Sequence, residues 1–205
     1  MSIRKTVAVL IVVALGTVWY QKIRIHNNDR LHQKIALSSL TFKDEPQQSD
    51  TSKPGFEFKG FSIKPLAVFL IRARVLSKAS YSYDFESKLS PLDLALGWNR
   101  MAAPSIYEPL NISQGGRWYL YSWSNSPPIP PQEIIESSAN MHMIPADQSV
   151  ERVLEQAETG RFIKIYGFLV EATNSSGWKW RSSLSRSDSG MSSCEVIFVV
   201  AAEIE

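Results

Sequence analysis

Apolar residues crowd the start of the chain. Residues 6–20 (TVAVLIVVALGTVWY) carry no charge, with Arg4 and Lys5 before them and Lys22 and Arg24 after. A greasy helix between basic flanks is the pattern of a membrane-targeting segment. As a helix this run rises only about 22 Å, less than a hydrocarbon core of about 30 Å. Ile3 and Ile23 extend the apolar length, Arg4, Lys5 and Lys22 can snorkel to the headgroups, and Trp19 and Tyr20 suit an interface. Residues 1–25 therefore read as a single-pass anchor or uncleaved signal. A cleaved signal peptide competes, because Ala14 and Gly16 offer small residues two apart, but bulky Trp19 and Tyr20 follow them.

The next pattern is the absence of one. Residues 26–55 hold no apolar period, and their second half is rich in Asp, Gln, Ser, Lys and Pro, a composition that buries too little surface to offset ordering entropy. They read as a flexible polar tether. Residues 56–205 are long enough for one domain with a sizeable core. Residues 61–77 (FSIKPLAVFLIRARVLS) alternate as a strand, with Pro65 suiting an edge or a bend, and Tyr81, Tyr83 and Phe85 prolong the alternation. Ser90, Pro91 and Asp93 look like a helix start: a Ser cap, Pro in the first turn and an acid near the positive end, with Gly97 as the stop.

Residues 117–123 (RWYLYSW) predict an aromatic strand, and the prolines at 127, 128, 130 and 131 a stiff crossing into a short helix at 132–138. Val150, Val153, Leu154 and Ala157 recur at helical spacing, with Asp147 or Ser149 as cap and Gly160 beyond, and define an amphipathic helix. Residues 161–173 and 178–185, joined by Asn174-Ser175-Ser176-Gly177, predict a β-hairpin with Trp178, Trp180, Ser182 and Leu184 on one face. A polar loop at 186–193 precedes a last strand at 194–204, and Gly167 permits a bulge or tight bend. The fold class is α+β: an N-terminal transmembrane helix, a tether, then one mixed domain with an antiparallel sheet and a few packed helices. An OB-like barrel and a less regular sheet both fit this string.

Charge divides the chain at the same place. Residues 1–55 hold eight Lys/Arg against four Asp/Glu, and residues 56–205 hold fourteen against sixteen. The whole-chain surplus of +2 thus belongs to the membrane-proximal part. The domain has no global basic footprint, which disfavours nucleic acid as a partner.

Several long strings, SPLDLALGWNRM, NISQGGRWY, PPIPPQEIIESSANMHMIPAD and GWKWRSSLSRSDSG followed by Cys194 and Glu195, resemble a family of uncharacterised bacterial proteins with an N-terminal hydrophobic segment and an envelope-facing domain. The resemblance implies the inner membrane as location, a single pass, and a periplasmic C-terminal domain. It implies no reaction, cofactor or ligand.

Site candidates rest on local chemistry alone. Ser137, Ser138, Asn140, His142 and Asp147 supply the residue types for base-assisted nucleophilic attack, but no nucleophile-elbow sequence accompanies them. The competing reading has Asn140 and His142 satisfying backbone groups before Pro145. His142 is the only histidine after residue 32 and Cys194 the only cysteine, so no metal site of zinc-like spacing is expected, no cofactor is implied, and Cys194 suits core packing. Trp178 and Trp180, interleaved with Lys179 and Arg181, offer a stacking platform for sugars or bases, with Arg186 and Asp188 on a polar loop nearby. Three functions stay open: a non-catalytic envelope module binding a protein or polymer, a hydrolase using Ser138 and His142, and an OB-like binder of single strands or oligosaccharides.

Overall fold

The computed structural model describes residues 37–185 and 194–205. The proposed membrane segment, Arg186 and Asp188 lie outside the described residues. Among those described, no helix is long and apolar enough to cross a membrane.

The strands and helices that build the fold follow in order: β1 (Gln47–Ser49), β2 (Phe56–Phe58), β3 (Phe61–Ser80), β4 (Leu92–Gly97), α1 (Pro104–Tyr107), β5 (Ser113–Gly115), β6 (Trp118–Leu120), α2 (Pro131–Glu136), β7 (Ser138–Pro145), α3 (Gln148–Glu155), β8 (Phe162–Thr173), β9 (Lys179–Arg181) and β10 (Glu195–Ile204). The domain is a mixed, sheet-rich α+β structure, in keeping with the class read from the sequence. Alternation along β3 places Phe69, Ile71, Ala73 and Val75 in the barrel core and Arg72 and Arg74 outward, the period-two consequence of a pleated strand; before the bulge at Pro65/Ala67 the parity is shifted, and Ile63 is buried on the opposite face with Phe61 and Val170.

The pairings close on themselves. β3 pairs β4, β4 pairs β7, β7 pairs β10, β10 pairs β8, and β8 returns to β3. Every step is antiparallel except β7 with β10, which is parallel. A closed circuit leaves few of the exposed edges that would invite aggregation, and β1 and β2 cover the part of β3 that β4 does not pair. Closure requires strong local curvature, and two bulges in β3, at Pro65/Ala67 against β8 and at Val75/Ser77 against β4, provide it. Gly167 allows the tightest approach: a Cβ there would stand 2.1 Å from the Phe198 carbonyl oxygen. The bulge or bend expected at this glycine is thus a close approach within the β8–β10 pair, beside the register shift at Val199/Ala201, that admits no side chain.

Phe69, Ile71, Leu92, Leu94, Leu96, Met141, Met143, Ile165 and Ile197 fill the barrel. Val150, Leu154 and Ala157 join that cluster, so the predicted amphipathic helix, α3, packs its apolar stripe against the barrel core. Asp147 caps it as expected, its Oδ1 accepting from the Ser149 and Val150 amides at 2.7 and 2.9 Å. The expected hairpin also forms, β8 turning through Asn174–Gly177 into β9, with Gly177 at φ 85°.

Three expectations are corrected. The helix start at Ser90 is not made: Leu92–Gly97 is strand β4, buried along its whole length. Six residues are too few for two helical turns, and pairing on both flanks satisfies the backbone while Leu92, Leu94 and Leu96 enter the core, so tertiary context overrides local propensity. The stretch read as tether belongs in part to the fold. Leu37 is buried, and β1 pairs with β3 through Gln47–Leu70, Gln48–Phe69 and Ser49–Val68. The alternation beyond Ser80 does not continue as strand; residues 81–91 form a loop with a 3₁₀ turn at Glu86–Lys88.

Between β4 and β7 the chain leaves the barrel for some forty residues and folds back over its outer wall. Met101, Tyr107, Leu110, Ile129 and Ile134 make a second core there with Leu76 and Ala95. The β5–β6 hairpin lies at the edge of this cover.

Candidate functional site

On β4 and β7 the inward residues are the leucines and methionines of the barrel core, so their alternating neighbours Asp93, Ala95, Asn140 and His142 face outward. Asp93 and His142 are direct cross-strand partners, as are Ala95 and Asn140. Cover by the 98–137 segment buries this outer face: Asp93 is 0 %, His142 2 % and Asn140 4 % exposed. Buried polar side chains need partners, and a single arginine supplies most of them.

Arg117 stands in the β5–β6 turn at φ 70°, directly after Gly116 at φ 56°. A non-glycine residue in this left-handed region costs of order 1 kcal/mol or more, and sites that hold a side chain in one place tolerate such strain. Here the turn drives the guanidinium into the face of the barrel. Its Nη1 donates to Asp93 Oδ1 at 2.7 Å, Nε and Nη2 donate to the two Asp84 oxygens at 2.8 and 2.9 Å, and Nη2 also donates to the Ser90 carbonyl at 3.0 Å. Its plane lies over the Tyr81 ring at 3.8 Å, and the Tyr81 hydroxyl accepts from its backbone amide at 3.2 Å. Burial works against the cation, and the two carboxylates outweigh it, leaving the Arg117 pKa raised. The Arg117 hydrogen bond in turn holds the Asp84 carboxyl below the usual range.

Asn140 and His142 complete the network. The Asn140 amide nitrogen donates to the Arg117 carbonyl at 3.1 Å and approaches Asp93 Oδ2 at 3.4 Å, while its oxygen accepts from Gln114 Nε2 at 2.6 Å. His142 Nδ1 lies 2.9 Å from Asp93 Oδ1. Trp180 packs on the imidazole with centroids 4.6 Å apart.

These groups floor a cavity of about 200 Å³ lined by Arg117, His142, Trp180 and Cys194, with Trp118, Glu86 and Arg181 also on its walls. Trp118 is 42 % exposed. Cys194 is half-buried; Ser183 donates its amide to the Cys194 carbonyl at 3.1 Å, and Val196 donates its amide to Ser182 Oγ at 3.1 Å. Among the described residues no group of three or more His, Cys, Asp or Glu side chains is placed to hold a metal ion.

The residues singled out from sequence are partly dispersed. His142 and Trp180 meet in the cavity, and Arg181 reaches its wall. Trp178 instead packs edge-on against Phe61, Phe85 and Trp180. Lys179 and Arg181 both pair with Glu171, at 2.9 and 2.8 Å, so they hold the hairpin rather than interleave with the indoles. Ser138 is four residues from His142 along one extended strand, a separation of about 13 Å. Its Oγ donates to the Ile134 carbonyl at 2.7 Å and accepts from the Tyr119 hydroxyl at 3.3 Å. Asp147 is engaged as the cap of α3. The combination of Ser138, His142 and Asp147 as nucleophile, base and orienter is therefore not assembled. Cys194, expected to be core packing, lines the cavity. Asp93 and Arg117 carry the network and were missed, because the first read as a helix-start acid and the second as one end of a strand; the signal available was the outward parity of Asp93 in LDLAL. The chain matches no protein-family model, curated protein or solved structure in the comparisons made.

Proposed function

We propose that this chain is a membrane-tethered, extracytoplasmic binding module of the bacterial envelope, OB-like in its barrel, and that the cavity beside Trp180 takes an uncharged segment of a sugar polymer. The circuit β3-β4-β7-β10-β8, with α3 between β7 and β8 in the chain, supports the OB-like description. OB barrels bind oligonucleotides or oligosaccharides on the face of their second and third strands, between two flanking loops. The corresponding region here is the outer face of β4 and β7, between the 81–91 loop and the segment beginning at residue 174.

The observation that carries the choice of sugar over nucleic acid is the state of Arg117. A phosphate-binding guanidinium needs free donors in a fork, whereas Arg117 already spends four of its five donors on Asp84, Asp93 and Ser90. The remaining wall cation, Arg181, is held by Glu171, and Glu86 adds negative charge. What the cavity presents is two indoles, Trp118 and Trp180, beside a polar floor, the combination that stacks on sugar faces and bonds to hydroxyls.

Titration with soluble amino-sugar oligosaccharides should change tryptophan fluorescence, with little dependence on salt, and Trp180→Ala should abolish the change. Tight binding of single-stranded DNA with a steep loss on adding salt would overturn the reading. Membrane fractionation, together with a reporter at Glu205 that works only outside the cytoplasm, tests the location; activity of that reporter only in its cytoplasmic form would refute it.

A further inference from the structure

The barrel sets three chemically complementary groups side by side on adjacent strands. Asp93 on β4 and His142 on β7 are register partners, and β10 runs parallel to β7 with Val196 paired to His142. Cys194 precedes Val196 by two residues. Ile197 and Val199 point into the barrel core, so residues of the opposite parity, Val196 and Cys194, face outward with His142 and Asp93. Strand spacing and rise put the Cα atoms of Cys194 and His142 about 8 Å apart on one face, a diagonal that an imidazole and a thiol can bridge. Both side chains line the same cavity. The imidazole is 3 % exposed, has its Nδ1 2.9 Å from the Asp93 carboxylate, and is held in place by Trp180.

We infer that Cys194 is a reactive thiol, served by His142 as proton acceptor and by Asp93 as the group that positions the imidazole, and that it takes up small disulfides to form a mixed disulfide inside the cavity. This goes beyond the binding function and does not depend on the ligand. In the exchange the Cys194 sulfur attacks one sulfur of the incoming disulfide, a Cys194–sulfur bond forms as the disulfide bond breaks, and the departing thiolate receives the proton that left Cys194 through His142. The small disulfide is the sole oxidant, and one small thiol is released for each Cys194 modified. Thiolate character and access govern the rate of such exchange. A neighbouring imidazole and a position on the wall of an open cavity provide both. The adduct would occupy the volume beside Trp180, so modification would also close the cavity.

Cys194 is the only cysteine of the chain, so every adduct reports this site. The full-length protein in detergent is exposed to cystamine near neutral pH, and adduct formation is followed by intact mass. The native thiol should react at least about tenfold faster than the same chain in denaturant. In a His142→Gln protein shown to be folded by its near-UV spectrum, the native rate should fall to about the denatured level, and Cys194→Ser should take up nothing. A native wild-type rate equal to or below the denatured rate overturns the inference without recourse to any variant, and so does a folded His142→Gln protein that reacts as fast as wild type.

Discussion

At the scale of single residues, the decisive one is Asp93. It is fully buried and its Oδ1 faces both Arg117 at 2.7 Å and His142 at 2.9 Å. Removing one partner of a buried ion pair strands the other, and the cost is about 3 to 5 kcal/mol. Asp93→Ala should lower stability by that amount in urea unfolding; a loss below about 1 kcal/mol would show that Arg117 finds Asp84 alone sufficient. Alongside Glu171 and Glu205, which their cation partners also hold below the usual carboxylate range, Asp84 contributes to the acid response. Its pKa is depressed in the folded state by the Arg117 hydrogen bond, so its contribution is present above the unfolded carboxylate value of about 3.9 and is lost as pH falls through the lower folded value. Melting temperatures measured between about pH 6 and pH 2 should therefore fall more steeply for wild type than for Asp84→Asn. Parallel curves for the two would remove Asp84 from the account.

Among elements, α3 shows how a short helix is made by its setting. Eight residues are marginal as an isolated helix, and this one survives through the Asp147 cap and the burial of Val150 and Leu154. Leu154→Ala should cost about 2 to 5 kcal/mol, the range for emptying a leucine site in a close-packed core, and Asp147→Ala about 1 kcal/mol for a lost cap. Chemical denaturation of the two variants checks both. Equal losses would mean that the helix docks more loosely than the 0 % exposure of Leu154 requires. The β5–β6 hairpin is the contrasting element: three residues to a strand, it is held by the Arg117 contacts and the aromatic contact of Tyr119 with Tyr121 at 5.4 Å rather than by a core of its own. Burial pushes the Tyr119 hydroxyl well above its ordinary pKa, against the opposing pull of the Ser138 hydrogen bond.

For the molecule as a whole, the barrel does not begin where the composition changes. β1 covers β3 at positions 68–70, and the Asp44 carbonyl accepts from the Asn99 amide at 3.2 Å, linking the leading segment to the cover of the site. Deleting residues 37–55 should lower the urea midpoint and, by uncovering part of β3, promote self-association through the open edge. An unchanged midpoint with a monomeric product would mean that the leading segment only rests on the barrel.

By itself the sequence determined the elements whose signals are local. β3 and β8 follow from alternation, α3 from its stripe and its Asp147 cap, the β8–β9 turn from Asn174 and Gly177, and the bend at Gly167 from the lack of a side chain. These are short-range properties, since period, cap and turn chemistry act within a few residues. Tertiary structure alone decided the rest. LDLALG became a strand because neighbours on both flanks took its hydrogen bonds, and residues 47–49 joined the sheet because β3 offered a partner. The site was legible in Asn140, His142, Trp180 and Arg181. Its other members stand far apart in the chain, Asp93 against His142 by strand register and Arg117 against both by a turn in the left-handed region, and only closing the barrel brings Cys194 to the same face.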